Sequence, residues 1–233
     1  MFRKRSARRS DAPAAAAAAQ GGGRVSADAT ANGSSHDELV GIARTCAPAL
    51  AEAMERVGAP PRLQVPSSPL AAFLVHVVVG QQLSSRAAAT IRERVAAYAA
   101  AEGRAIPADL GPETVPALRD CGLSRAKVRT VQALRAAQAG GELDGGALAG
   151  LDHGERSRRL RRIHGIGQWS CDMVSIFHCR DPDIWPDADV AVRRTLAGLI
   201  DGRRTVARTS ARFAPHRSTL ARYLWRIADA PPS

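Results

Sequence analysis

The sequence predicts an all-α protein, and two features of its 233 residues support this fold class. From residue 37 onward, apolar residues recur at three- and four-residue intervals, which is the spacing of one face of a helix. Alternating apolar and polar residues joined by hairpin turns, which would indicate strands, are missing from the sequence. The length of the chain suits one large domain or two small ones around a shared core, and a hydrophobic content of 45% excludes a globally disordered chain.

The first half of the chain is predicted to form three helices. The first covers residues 37–58 and ends at Gly58, because glycine commonly follows the last helical residue. After a loop with four prolines, residues 69–84 contain enough β-branched side chains to suggest a strand. The length of this run and the helical pattern after it favour a buried helix instead. A third helix is predicted to extend to about residue 103.

The second half is predicted to contain shorter helices. Their expected positions are around residues 111–121, 124–139 and 152–163, then about Ser170 to Cys179 after the turn HGIG, a segment after Asp189, and residues 215–227. The sequence contains no internal repeat.

Residues 1–36 form a basic, low-complexity segment that we predict to be a disordered tail ahead of a folded domain at residues 37–230. Runs of alanine, glycine and serine cannot bury enough apolar surface to offset the entropy of the chain. Six basic and two acidic side chains give this tail a charge of +4, so the rest of the chain carries +7 of the total +11.

The positive charge predicts an anionic partner, and nucleic acid is the first candidate. No apolar run approaches the ~18 residues that a membrane span requires, so no membrane partner is expected. The start of the chain lacks the apolar core of a secretory signal, which predicts a cytoplasmic protein that associates with the nucleoid through DNA. A monomer is expected.

Cysteine and lysine usage limits the possible chemistry. The four cysteines are scattered without paired ligand spacing, which excludes an iron–sulfur cluster held by closely spaced cysteines. No metal and no cofactor are predicted. The only lysines are Lys4 and Lys127, so a mechanism that needs a lysine amine must use Lys127 or the tail.

Residues 160–196 contain the most informative pattern. Gly165 and Gly167 permit positive φ and leave backbone N–H groups uncovered at the start of the next helix, where they suit a phosphate oxygen. An ordinary glycine-containing connection between helices is the alternative. Asp187 and Asp189 precede the following helix, and Asp189 occupies its N-cap. That cap alone, worth about 1 kcal/mol, is the alternative to a catalytic role.

These residues resemble the helix-hairpin-helix DNA glycosylase superfamily with its Gly/Pro-Asp loop, in particular the 3-methyladenine DNA glycosylase II type. The resemblance rests on LRRIHGIGQWS followed by PDAD, on LVHVVVGQQLSSRAAATI, on LRDCGLSRAKVRTVQALRAAQAGGELD and on FAPHRSTLARYLWR, in the order and spacing of the family. It covers roughly residues 37–228. It implies two helical subdomains with the helix-hairpin-helix motif and the Gly/Pro-Asp loop at the cleft between them.

The resemblance also implies roles for individual residues. Asp189, and not Asp187, matches the catalytic aspartate. Gln82 matches the residue that enters the base stack when the target nucleotide is flipped out. The matches to the phosphate-binding hairpin are Gly165, Gly167 and Ser170, and those to the base pocket are Trp169, Trp225 and Met173. Apart from these matches, Arg217 and Ser218 are expected to support the pocket loop.

The resemblance implies a monofunctional enzyme that removes alkylated purines and leaves an abasic site. Bifunctional relatives carry a lysine where Trp169 stands, and this chain has none there. Met173 and Val190 replace aromatic residues of some relatives, so the pocket is expected to be less aromatic and roomier. Two alternatives stay open: a glycosylase for another lesion class, and a noncatalytic DNA-binding module in which Asp189 is only a helix cap.

Overall fold

The computed structural model describes residues 36–66, 68–83 and 85–231, and within these ranges every regular element is a helix. The predicted all-α class is therefore confirmed. The predicted disordered tail lies outside the described residues, except for His36, which already belongs to the first helix. No helix in the described ranges is both long enough and apolar enough to cross a membrane.

The single helix predicted for residues 37–58 is wrong, because the structure divides it at Ala47. Helix α1 covers residues 36–46 and helix α2 covers Pro48–Val57. Pro48 is the first residue of α2, a position that proline tolerates because the N–H there has no intrahelical partner.

The apolar run that could have been a strand is a helix, as predicted. Helix α3, Leu70–Gly80, is followed by α4, Ser85–Ala101, by a short 3₁₀ turn, Pro112–Thr114, and by α5, Val115–Asp120. Helix α6, Arg125–Ala139, begins where the Ser124 hydroxyl accepts a hydrogen bond from the Lys127 backbone N–H. Helix α3 packs against both α4 and α6.

The remaining helices include two that the sequence patterns did not indicate. They are α7 Gly145–Ala149, α8 His153–Leu160, α9 Gln168–Met173 with a π-helical continuation Val174–His178, α10 Val190–Leu199, α11 Val206–Ala211 and α12 Arg217–Asp229. The unpredicted helices are α7 and α11, which are five and six residues long. Asp144 and Thr205 cap them, so the available signal was a capping residue and not periodicity.

The buried apolar residues form two large clusters that divide the chain. One cluster is built from residues 70–174, and the other combines residues 39–54 with residues 192–224. The second cluster therefore brings the beginning and the end of the folded chain together, with α10 packed against α2 and α12. A small third group lies on α3, α9 and the segment after α9: Val77, Met173, Ile176 and Ile184.

Candidate active site

Asp189 is the buried acid at the start of α10, with only 7% of its surface exposed. Its Oδ1 accepts a hydrogen bond from the Val192 backbone N–H at 2.8 Å, which makes it the N-cap of α10. Unpaired N–H groups at a helix start favour a negative charge, so the position suits a carboxylate. The cap predicted from the sequence is thus present.

Two tryptophans hold the other oxygen of the same carboxylate. The indole Nε1 of Trp169, on α9, donates to Asp189 Oδ2 at 2.7 Å. The indole Nε1 of Trp225, on α12, donates to the same oxygen at 3.2 Å. Hydrogen bonds to ionised acceptors are stronger than those between neutral groups. Three N–H groups from three helices therefore fix the orientation of the Asp189 carboxylate.

The neighbouring acid, Asp187, lies in a different environment. Its side chain is exposed and accepts a hydrogen bond from the Trp185 indole at 3.3 Å. The fold thus separates the two acids of the PDAD sequence, burying one among indole donors and leaving the other at the surface.

An apolar floor lies beside the Asp189 carboxylate. Met173 is buried in the small cluster, against which Trp169 and Trp225 are half-buried. Phe177 belongs to the same group, and its ring centroid lies 5.5 Å from that of Trp225 at an interplanar angle of 31°. The sequence analysis missed Phe177, although its position four residues after Met173 places both side chains on one helical face.

The loop that leads to Asp189 is fastened to the start of α12, as the sequence analysis predicted for Arg217 and Ser218. The Arg217 guanidinium donates to both Asp183 carboxylate oxygens, at 2.7 and 2.8 Å. These hydrogen bonds lower the pKa of Asp183. The Ser218 hydroxyl donates to the Asp181 carbonyl at 2.6 Å and accepts from the Ile184 N–H at 2.9 Å.

A buried arginine ties the loop to the helices of the first cluster. Arg156, only 2% exposed, donates to the carbonyls of Leu148 and Leu151 at 2.9 and 2.6 Å. It also donates to the Ser175 hydroxyl at 2.8 Å and to the Asp181 carboxylate at 2.5 Å. A guanidinium can be buried at this position because its donors find acceptors. Arg156 therefore limits the freedom of the loop before Asp189.

The turn at residues 161–167 joins α8 to α9 and contains both predicted phosphate-binding glycines. Gly165 has φ = +82°, and a Cβ added to it would lie 1.9 Å from Thr130 Oγ1. Gly167 has φ = −101° and no atom within 4 Å of a Cβ position. Contacts within the protein therefore require glycine at position 165. At position 167 no such contact exists, so only a bound partner could require glycine there.

The structure buries Ser170, the third predicted phosphate ligand, and its hydroxyl accepts a hydrogen bond from Gln81 Nε2 at 3.0 Å. The same Gln81 nitrogen donates to the Gly165 carbonyl at 3.2 Å. The Ser170 side chain thus serves an internal contact and does not face outward.

Gln82 lies in the loop after α3, close to the 161–167 turn. It is exposed and has φ = +56°, one of two positive φ values among the described non-glycine residues. The Lys127 ammonium donates to the Val79 carbonyl at 2.8 Å and the Gln81 carbonyl at 2.9 Å. Burial lowers the pKa of Lys127. The single lysine of the described chain is therefore bound to backbone next to Gln82.

The fold is similar to that of helical DNA glycosylases of known structure. The structure is similar to that of a Schizosaccharomyces pombe 3-methyladenine DNA glycosylase in complex with abasic DNA, with a TM-score of 0.63 and 28% identity over 75% of this chain and 88% of that chain.

Within the described ranges, no group of three or more His, Cys, Asp or Glu side chains could hold a metal ion.

Sequence comparison finds similar DNA repair proteins. The chain is 31% identical over 189 residues to a probable bifunctional transcriptional activator/DNA repair enzyme AlkA of Mycobacterium tuberculosis. The aligned residues make up 75% of this chain but only 37% of that protein. It is 29% identical over 161 residues to DNA-3-methyladenine glycosylase 1 of S. pombe, covering 66% of this chain and 71% of that protein. No protein-family model matches the chain. The predicted resemblance to the 3-methyladenine DNA glycosylases is confirmed.

Proposed function

We propose that the protein is a monofunctional DNA glycosylase that removes alkylated purines, such as 3-methyladenine, from double-stranded DNA. It hydrolyses the N-glycosidic bond and leaves an abasic site in an intact strand. The observation that carries this proposal is the buried Asp189 carboxylate, held by three N–H groups beside an aromatic and apolar surface. The name of the M. tuberculosis relative supports a role in DNA repair, and the name of the S. pombe relative supports the substrate class.

The proposed reaction needs little help from a general acid. Water attacks C1′ as the bond between C1′ and the base nitrogen breaks, and the base leaves with the electron pair of that bond. An alkylated purine that carries a positive charge leaves as a neutral base. Positive charge develops on the sugar, and the Asp189 carboxylate stabilises it and accepts a proton from the attacking water.

Aromatic side chains support recognition of a cationic base. An electron-rich ring face attracts a cation by about 0.5–2 kcal/mol. Trp169 and Trp225 flank the carboxylate, and Met173 with Phe177 completes the apolar side. A flipped base that enters this site would thus meet rings on one side and the carboxylate on the other.

The DNA contacts of the proposed enzyme come from two adjacent loops. Because the Ser170 hydroxyl is engaged by Gln81, we assign phosphate binding to the backbone N–H groups around Gly165 and Gly167. Gln82 fills the space that the flipped nucleotide leaves, where its amide can bond the unpaired partner base.

Replacing Asp189 tests the proposal. The Asn oxygen of Asp189→Asn can still cap α10, but its NH2 then faces the two indole N–H donors, so some loss of thermal stability is expected and the melting temperature is measured beside the rate. The rate of methylated-purine release should fall by about 100-fold or more, since charge stabilisation and proton acceptance are lost together. Single-turnover release from an oligonucleotide with one methylated purine measures this rate.

Each other outcome of this experiment points to a different function. An unchanged rate for Asp189→Asn would remove Asp189 from the reaction. If the wild type binds duplex DNA but releases no base from methylated, etheno, hypoxanthine or uracil duplexes, the protein is a DNA-binding module. Release from a non-alkylated lesion alone would assign it to another substrate class.

Strand cleavage tests the monofunctional part of the proposal. A lyase reaction needs an amine that attacks the sugar, and the Lys127 amine is bound to the Val79 and Gln81 carbonyls. Product DNA should therefore stay intact until alkali is added, and borohydride should trap no protein–DNA adduct. A trapped adduct would show that the enzyme is bifunctional.

A further inference from the structure

We propose that Lys127 is a positioning residue for base flipping: its ammonium, bonded to the Val79 and Gln81 carbonyls, holds residues 81–83, here called the wedge loop, so that Gln82 points at the DNA. This inference rests on the proposed function, because it assigns Gln82 to the base stack. It gives a role to the one lysine of the described chain, which the proposed reaction leaves without a chemical step.

The ammonium completes the end of α3. The last carbonyl groups of a helix have no intrahelical partner, and a cation placed there is favoured by the helix dipole. Lys127 Nζ lies 2.8 Å from the Val79 oxygen and 2.9 Å from the Gln81 oxygen. Because it reaches Gln81 from a different helix, this contact fixes the backbone immediately before Gln82.

A second contact holds the wedge loop from the opposite side. Gln81 Nε2 donates to the Gly165 carbonyl at 3.2 Å and to the Ser170 hydroxyl at 3.0 Å. Gln81 is thus held by its main chain at Lys127 and by its side chain at the 161–167 turn. Gln82 keeps φ = +56°, an unfavourable backbone conformation for a non-glycine residue that persists where the surrounding contacts enforce it.

Helix α6 supports both DNA-facing loops. Lys127 and Thr130 lie one turn apart on α6, and Thr130 is the residue that a Cβ at Gly165 would meet. One helix therefore fixes the wedge loop through Lys127 and abuts the 161–167 turn through Thr130. A phosphate bound at the turn would then set the position of Gln82 relative to the lesion before flipping begins, which saves the entropy of ordering the loop on DNA.

The environment of Lys127 distinguishes this role from general attraction to DNA. Its ammonium is partly buried, and two of its three N–H donors are used inside the protein. Arg129 lies on the same helix with an exposed side chain. Arg129→Met therefore removes one positive charge from α6 without touching the wedge loop, and it is the matched control.

The test compares Lys127→Met, Lys127→Arg, Gln82→Ala and the double variant of Lys127→Met with Gln82→Ala in the full chain. Flipping is followed by the fluorescence of 2-aminopurine next to a tetrahydrofuran abasic analogue in duplex DNA, and base release by single-turnover kinetics. Lys127→Met should slow both by about tenfold, since the loop must be ordered during flipping. Lys127→Arg should recover most of the rate because it retains charge and donors.

Non-additivity is the decisive result. If Lys127 acts through Gln82, the double variant should be no slower than the slower single variant. Additive losses, or an equal loss in Arg129→Met that disappears at higher salt, would overturn the proposal. If Lys127→Met does not fold, Gln81→Met replaces it, since it cuts the other contact of the wedge loop, and it should be equally non-additive with Gln82→Ala.

The fluorescence measurement separates this proposal from the proposed function. Flipping of the abasic analogue requires no base release. A wild-type protein that flips but releases no base would contradict the glycosylase assignment and leave the Lys127 comparison intact. A wild type that releases base, with Lys127→Met equal to it in both measurements, would contradict the positioning role alone.

Discussion

At the scale of single residues, the indole N–H groups at Asp189 can be tested apart from the indole rings. Trp169→Phe keeps an aromatic face but removes the 2.7 Å hydrogen bond to Oδ2. Base release should slow by about tenfold, because a hydrogen bond to a charged acceptor contributes about 1.5–3 kcal/mol, part of it in the ground state. Single-turnover kinetics gives the rate.

The matched control for this variant is Trp185→Phe. It removes a 3.3 Å indole contact to the exposed Asp187 and should leave base release unchanged. If Trp169→Phe also retains the wild-type rate, the indole N–H does not orient the carboxylate, and Trp169 acts only through its ring.

The sequence predicted which acid is the N-cap of α10, but it did not predict the surroundings of that acid. A capping position and a family pattern were enough to prefer Asp189 over Asp187. Both indole N–H groups donate to one oxygen of Asp189, and the Ser170 hydroxyl turns inward to Gln81. These contacts join residues that are 20 to 89 positions apart in the sequence. No local pattern encodes such contacts.

At the scale of structural elements, the two glycines of the 161–167 turn should differ sharply. Gly165→Ala places a methyl group against Thr130 at φ = +82° and should destabilise the protein by about 2 kcal/mol or more. Gly167→Ala meets no protein atom and should keep the wild-type melting temperature. Thermal unfolding measures both effects.

DNA binding then distinguishes the roles of the two glycines. A methyl group at Gly167 stands where the proposed phosphate approaches the backbone N–H groups, so Gly167→Ala should weaken binding of an abasic duplex although its stability is normal. Wild-type affinity in this variant would argue against phosphate binding at the turn.

Elements with strong periodicity were predicted well, and the errors occurred where periodicity says little. The apolar run of α3 was correctly assigned to a helix from its length. The break at Ala47 was missed because the apolar spacing continues across it, although Pro48 marked the boundary. The two helices that were not predicted, α7 and α11, have five and six residues, too few to establish a period.

At the scale of the whole molecule, we expect the basic N-terminal residues to affect DNA affinity rather than catalysis. Deleting residues 1–35 removes six basic and two acidic side chains but keeps His36, whose Nδ1 contacts the Tyr223 hydroxyl. Base release under single-turnover conditions at saturation should be unchanged. Each lost phosphate contact should lower the slope of log affinity against log salt by about 0.9. An unchanged slope would mean that these residues do not touch DNA.

The division of the buried core explains why the site lies where it does. Trp169 lies on α9, whose Cys171 belongs to the first cluster, and Trp225 packs against the second cluster. Their indole groups meet at Asp189. The order of the two clusters along the chain could be estimated from motif order. The sequence did not show that residues 39–54 pack against residues 192–224 in the second cluster, because these ranges lie far apart in the chain.

The arrangement of tryptophans gives the protein an optical property. The chain contains three, and each donates its indole N–H to an acid of the loop before α10: Trp169 and Trp225 to Asp189, and Trp185 to Asp187. Indole emission is sensitive to nearby charge and to stacked rings. A base that enters the site should therefore change the ultraviolet fluorescence of the unlabelled protein, and the time course of that emission would report the arrival of the base.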